Sequence, residues 1–214
     1  MAYFEDAENH RICKSKLILA EGKDDCLFLK HLLIKDNSIQ IRNFKGQNNL
    51  TNDIEALKRV DGFDDVSSIL IFRDSEESYQ SASQSVNSSL KKTGLIETDI
   101  EPFKMSNQNN RKIGFVLFPG IDENGKAYTS GTLEHLCVKI SKENTIMPIV
   151  KTYIIDFEQK MAKSFQKLHK NELHALFSFT DGYVGKKIGE TAGAGGFDFN
   201  SPHLIPFLEM INKM

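Results

Sequence analysis

Lys16-Leu17-Ile18-Leu19-Ala20-Glu21-Gly22-Lys23-Asp24-Asp25 is the stretch on which the reading of this chain turns. Residues 16 to 20 form a short apolar run, the run breaks at Glu21 into a polar turn, and Leu27, Phe28, Leu32 and Leu33 then recur at helical spacing. The order is strand, loop, helix. An apolar strand without polar alternation belongs in a sheet covered on both faces, and an acid at its carboxyl end lies where such sheets receive ligands.

The unit repeats outward. Ile39 to Phe44 alternates like a strand, residues 45 to 49 form a turn, and Ile54, Leu57 and Val60 mark one face of a helix. Val66-Ser67-Ser68-Ile69-Leu70-Ile71-Phe72 is the strongest buried-strand candidate; it ends in Arg73-Asp74-Ser75-Glu76-Glu77, and Val86 and Leu90 follow at helical spacing. Residues 96 to 111, polar and carrying Pro102, suit an exposed loop or a weak edge strand. Ile113 to Phe118 is a fourth strand, after which Gly131-Thr132 opens a helix through Leu133, Leu136 and Ile140. Residues 148 to 178 read as helical throughout, a glycine-rich stretch runs from Gly189 to Gly196 with Gly193-Ala194-Gly195-Gly196 read as a flexible loop, and Pro202 starts a last helix. The fold expected is α/β, a mainly parallel sheet flanked by helices, with residues 1–145 as its core and 146–214 as a helical C-terminal elaboration packed on the same domain.

Composition narrows the function. The 214 residues are 40% hydrophobic and 26% charged, the proportions of an ordinary globular protein. A net charge of -2 gives no global field toward nucleic acid or anionic lipid, so attraction to a polyanion has to come from local basic residues, bound cations or a partner. Cys13, Cys26 and Cys137 are too scattered for a disulfide framework or a thiolate zinc site. No apolar run is long enough for a membrane span, and Met1-Ala2-Tyr3-Phe4-Glu5-Asp6 has neither the basic start nor the apolar run of a leader, so a cytoplasmic protein is expected.

The acids gather at the strand ends. Glu21 closes the first strand with Asp25 four residues on, and Asp74 and Glu76 close the third in an acid-x-acid pattern. Carboxylates brought to one sheet edge repel unless cations neutralise them, and hard oxygen ligands suit Mg2+ or Mn2+ rather than zinc. The same acids could equally serve as helix caps and first-turn residues favoured by the dipole. Other chemistries find little support. The six histidines, His10 to His203, form no HxxxH or HExxH pair, the serine-rich residues 78 to 89 lack a Gly-x-Ser-x-Gly elbow, and Gly193-Ala194-Gly195-Gly196 lacks the Gly-Lys-Ser/Thr ending of a phosphate loop. His135, beside Glu134, is expected to have a structural role.

Leu17-Ile18-Leu19-Ala20-Glu21-Gly22-Lys23-Asp24-Asp25 with Ser68-Ile69-Leu70-Ile71-Phe72-Arg73-Asp74-Ser75-Glu76 resembles the two signature segments of a Toprim domain. The likeness is to small stand-alone proteins of the OLD (overcoming lysogenization defect) type, in which Phe44-Lys45-Gly46-Gln47-Asn48-Asn49-Leu50 and Gly131-Thr132-Leu133-Glu134 also have counterparts. It covers most of the chain and implies a Toprim-like Rossmannoid fold and a nuclease cleaving DNA, or RNA, with two bound Mg2+ or Mn2+ ions. By this likeness Glu21, Asp25, Asp74, Glu76 and Glu134 would be metal ligands, and Glu76 departs from the aspartate usual there. Glu134 also suits a plain N-terminal helix acid after a Thr132 cap. Lys170 resembles a helix-borne lysine of the family and joins Glu21 and Asp74 as the expected catalytic set, ahead of Lys186 and Lys187. Lys23 and Arg73, which interrupt the acidic motifs, are expected at phosphate. The likeness also implies a nucleic-acid partner with DNA favoured and a role in defence against phage; because the chain has no Walker A motif, it leaves open either a separate ATPase partner or an independent small nuclease, and the sequence leaves an oligomer open. The alternative is a non-catalytic module of the same fold that binds nucleic acid, nucleotide or a partner protein.

Overall fold

The computed structural model describes residues 11–46, 49–122, 124–142 and 144–214. The leader reading at residues 1 to 6, His10, and Gln47 and Asn48 of the second turn lie outside the described residues. Five strands make one sheet: β1 (Lys16–Ala20), β2 (Ile39–Asn43), β3 (Ser68–Asp74), β4 (Met105–Gln108) and β5 (Arg111–Phe118), in the order β2-β1-β3-β5-β4. All neighbours are parallel except β4, which runs antiparallel along one edge. The expected α/β class holds, and the polar stretch before β5 does carry an edge strand.

The central strands are apolar throughout because both of their faces are covered. Ile18, Ala20, Leu70, Phe72, Val116 and Phe118 enter one core, and Leu17, Leu19, Ile69, Ile71, Phe115 and Leu117 enter the other. A period of two thus serves two cores, each of the Leu, Ile, Val and Phe side chains contributing about 1.5–3 kcal/mol on burial. The helices α1 (Lys23–Leu32), α2 (Leu50–Leu57) and α3 (Tyr79–Lys92) supply the first layers, α1 on one face and α2 and α3 on the other. The chain steps from β1 outward to β2, and from β3 the opposite way to β5. This reversal opens a crevice above the carboxyl ends of β1 and β3.

The later helices all add apolar residues to the α1 face. They are α4 (Leu133–Ile140), α5 (Met147–Met161), α6 (Leu168–Ser178), α7 (Ile188–Gly193) and α8 (Ile205–Asn212), the last preceded by a 3-10 turn at Pro202–Leu204. One expectation needs correction. The continuous helix over 148 to 178 is two helices, because Ala162 adopts the left-handed conformation (φ 50°) and donates its N–H to the Glu158 carbonyl. The glycine-rich stretch carries α7 as far as Gly193, the first residue of the expected loop, with Ala194 and Gly195 in a turn beyond it. The glycines of α7 serve close packing: a Cβ on Gly189 would lie 2.5 Å from Leu27 Cβ, and one on Gly193 would lie 3.0 Å from His31 Nε2. Among the described residues no helix is long and apolar enough to cross a membrane.

Candidate functional site

Strand register sets the floor of the crevice. Ala20 pairs with Phe72, so the next residues, Glu21 and Arg73, stand level, and Asp74 lies one step beyond. Arg73 is only 6% exposed. Its NH1 donates to Ser85 Oγ at 2.8 Å, and its Nε lies 4.0 Å from Glu21 Oε2. The residue expected at phosphate is therefore turned inward, where its guanidinium stands behind the Glu21 carboxylate as a counter-charge, its Nε too far from Oε2 for a hydrogen bond.

Two helix N-termini bring further acids to the crevice. At the start of α1, Asp25 Oδ2 accepts the Gly22 N–H at 2.8 Å. At the start of α4, the Leu133 N–H donates to Asp74 Oδ1 at 2.8 Å, tying the end of β3 to the first turn of that helix. A two-residue bridge reinforces this tie: the Glu76 N–H donates to the Gly131 carbonyl at 2.9 Å and the Gly131 N–H to the Glu76 carbonyl at 2.7 Å. Glu76 sits at φ 51°, a left-handed conformation that costs a non-glycine residue about 1–2 kcal/mol. Gly131 is needed at its place, since at φ 132° a Cβ would lie 2.7 Å from Pro119 Cδ. The first turn of α4 is closed by His135, whose Nδ1 accepts the Thr132 N–H at 3.1 Å. The helix-cap reading of Asp25 and the site reading are compatible, because a carboxylate has two oxygens and the cap takes one.

The result is a cleft of about 440 Å3. Glu21, Asp25, Asp74, Glu76 and Glu134 all line it, with Lys23 and Lys170. Lys170 arrives from α6, and its Nζ lies 3.1 Å from Glu134 Oε1. The preceding His169 stacks on His135, ring centroids 4.5 Å apart, which docks the start of α6 on the start of α4. Residues not singled out from sequence also line the cleft: Asp24, Asn43, Lys45 and Ile188. Asp24 Oδ1 accepts the Gly189 N–H of α7 at 3.3 Å. Lys45 follows the end of β2, and the available signals were its position just past a strand and its place in the Phe44–Leu50 segment that has a counterpart in OLD-like proteins. Lys186 and Lys187 are not among the lining residues; Lys187 caps α7, its N–H donating to Glu190 Oε2 at 2.8 Å.

The crowding of acids has an electrostatic signature. Burial pushes the Asp25 carboxyl up to about 7, with repulsion from Glu21, Glu134 and Asp24 adding to it and the Gly22 hydrogen bond opposing. Burial likewise raises Asp74 well above the ordinary carboxylate range, with Asp25, Glu134 and Glu21 contributing. Burial also works against ionised Glu134, but hydrogen bonding from Thr132 and its own backbone, with the Lys170 ammonium, outweighs it and holds this acid below its usual value. Lys170 is raised in turn, the pull of Glu134, Asp74 and Glu76 exceeding the effect of burial. Burial pushes the Cys137 thiol well up, so a thiolate nucleophile has no support there.

The chemistry of the lining suits a hard divalent cation. Its acidic donors are carboxylate oxygens, without sulfur or imidazole, and the mutual repulsion that raises Asp25 and Asp74 is what a cation would relieve. Among the described residues, however, no three acidic, imidazole or thiol groups already surround a common point as metal ligands. The hydrogen bonds account for part of this: one oxygen each of Asp25 and Asp74 is held by a backbone N–H, and Glu134 is held by Lys170.

No curated protein and no solved structure matches the chain. One family model does match, that of a protein of unknown function, DUF3226, and it covers residues 15–214. The match takes in every strand and helix among the described residues and the whole acidic cleft, and the chain belongs to the DUF3226 family.

Proposed function

We propose that this protein is a metal-dependent nuclease of Toprim type that cleaves phosphodiester bonds of DNA, with RNA as the lesser substrate. The observation that carries the reading is the cleft itself: Glu21, Asp25, Asp74, Glu76 and Glu134, from three separate parts of the chain, line one cavity at the reversal point of a parallel sheet.

In this reading Glu21, Asp25 and Glu134 would hold one ion, and Asp74 and Glu76 would hold a second. Two Mg2+ or Mn2+ ions would supply an activated water and compensate the charge developing on the phosphoryl group. Arg73 places a positive charge behind Glu21, its Nε 4.0 Å from Glu21 Oε2. Lys170 gives Glu134 its counter-charge before substrate binds and adds a positive charge to the phosphoryl oxygens once it has bound. An ATPase partner and a role in defence against phage belong to the proposal through family likeness alone.

The test is conversion of supercoiled plasmid to nicked or linear DNA in Mg2+ or Mn2+, beside Glu21→Gln and Asp74→Asn. Wild-type cleavage with loss of at least about a hundredfold in each variant supports the reading. Cleavage that persists in both variants places the activity elsewhere. One feature favours a second reading, a non-catalytic binding module: the Lys170 ammonium already satisfies Glu134, so an ion at that acid has to displace it. A protein that binds oligonucleotide but cleaves nothing in either metal, with or without an ATPase partner, would be that module.

A further inference from the structure

The chain carries a net charge of -2, yet residues 159–171 contain Lys160, Lys163, Lys167, Lys170 and His169 and no acid. They form the end of α5, the turn that follows and the start of α6. The turn is a built structure. Beyond the left-handed Ala162, the Lys163 N–H donates to the Glu158 carbonyl at 3.2 Å and the Phe165 N–H to Glu158 Oε1 at 2.6 Å. Phe157 and Phe165 stack with centroids 5.6 Å apart and planes 14° apart while remaining 38% and 37% exposed. Lys160 is occupied by Asp156 at 2.7 Å, whereas Lys163 and Lys167 are exposed and make no ion pair among the described residues. The last lysine of the series, Lys170, reaches the cleft.

Each part of this arrangement is costly on its own. Half-exposed stacked rings leave apolar area in water, and lysines without counter-charges repel one another. A polyanion with open aromatic faces relieves both at once. Duplex DNA offers phosphates but hides its base faces in the stack, while an unpaired strand offers both.

We propose that the α5–α6 turn is a platform for single-stranded nucleic acid leading to the cleft, with a base stacked on Phe165, backbone phosphates on Lys163 and Lys167, and Lys170 at the point of entry. This inference rests on the nuclease reading of the cleft and adds the substrate class, a strand with unpaired bases. Lys160, Lys163, Lys167 and Lys170 give this stretch a local positive charge that the acidic chain as a whole lacks, and Lys170 carries the series to the site.

Binding of fluorescent oligo-dT, oligo-U and a duplex of equal length, followed by anisotropy in EDTA, tests the platform without any cleavage. Single strands should bind more tightly than the duplex, and the dT and U arms distinguish DNA from RNA. Three lysine contacts predict a slope of log K against log salt of about -2, which falls in magnitude by about 1.4 in Lys163→Gln with Lys167→Gln. Phe165→Ala should weaken binding roughly tenfold. Phe165→Trp should retain it, and because the wild-type chain has no tryptophan, oligo-dT should quench the new indole emission directly. Equal affinity for duplex, or unchanged binding in both the lysine and the alanine variants, overturns the platform. The two readings fail separately: single-strand binding through Phe165 without cleavage in Mg2+ or Mn2+ defeats only the nuclease, and metal-dependent cleavage undiminished by the platform variants defeats only the platform.

Discussion

Asp25→Asn provides the sharpest test of the electrostatics in the cleft. The Asp25 carboxyl is raised from the unfolded value of 3.8 to about 7, first by burial and then by its acidic neighbours. The sign follows from proton binding: between those two values the folded state holds a proton that the unfolded state has released, so stability is full below about pH 4 and is lost as pH rises toward 7. A gap of about three units corresponds to a ceiling of about 4 kcal/mol. Asp25 is half-buried, and water screening brings the expected loss to about 2 kcal/mol, or 4–8 °C in Tm for a chain of this size. The asparagine carbonyl can still accept the Gly22 N–H, so the cap survives the substitution. His31 and His135, both lowered by burial, titrate in the opposite sense, and subtracting the variant from the wild type removes their contribution. The assay is thermal unfolding in EDTA from pH 4 to pH 8. Wild type should lose stability across this range more steeply than the variant, the variant should be the more stable protein at pH 8, and added Mg2+ should stabilise wild type more. Parallel curves for the two proteins, or a variant less stable at pH 8, would refute the claim that repulsion and burial act together on this carboxyl.

Further outcomes follow from individual contacts. Gly131→Ala forces a side chain to φ 132° and to 2.7 Å from Pro119 Cδ, so unfolding should show a loss of about 1–3 kcal/mol, with any cleavage activity lost as Asp74 and Glu134 separate. Gly189→Val places new carbons against Leu27, where a Cβ alone already lies at 2.5 Å, and should lower Tm and expose α7 to limited proteolysis; an unchanged digestion pattern would count against helix contact as the purpose of that glycine. Because the Lys170 side chain is 44% exposed, its pair with Glu134 should couple by less than about 1 kcal/mol in a double-mutant cycle on stability, while Lys170→Met should reduce cleavage far more than it reduces Tm. Arg73→Met removes both the Ser85 hydrogen bond and the charge behind Glu21, and should weaken Mn2+ binding measured by calorimetry; Mn2+ affinity equal to wild type would contradict the counter-charge role.

Local pattern was sufficient for the sheet. Apolar runs such as Leu17 to Ala20 and Ile69 to Phe72 could be recognised because strands buried on both faces must be apolar at every position, and the acids that end them were therefore seen to lie at the sheet's carboxyl edge. Asp25 was legible for a related reason, as an acid at the start of a helix, whereas Glu134 was reached through the Toprim likeness, its own neighbourhood reading equally well as a plain first-turn acid after Thr132.

What the sequence alone determined, then, was the alternation of strands and helices and the edge at which the carboxylates collect, since both follow from interactions between residues near one another in the chain. The tertiary structure decided the rest. It turned Arg73 inward to Glu21 and Ser85, packed a glycine-rich segment against α1 as a helix, broke the long helical pattern at Ala162, and carried Lys170 to Glu134. Each of these depends on the space left between elements distant in sequence, where a missing Cβ or a reach of a few ångströms determines the outcome, and a periodicity read along one chain contains no such distance.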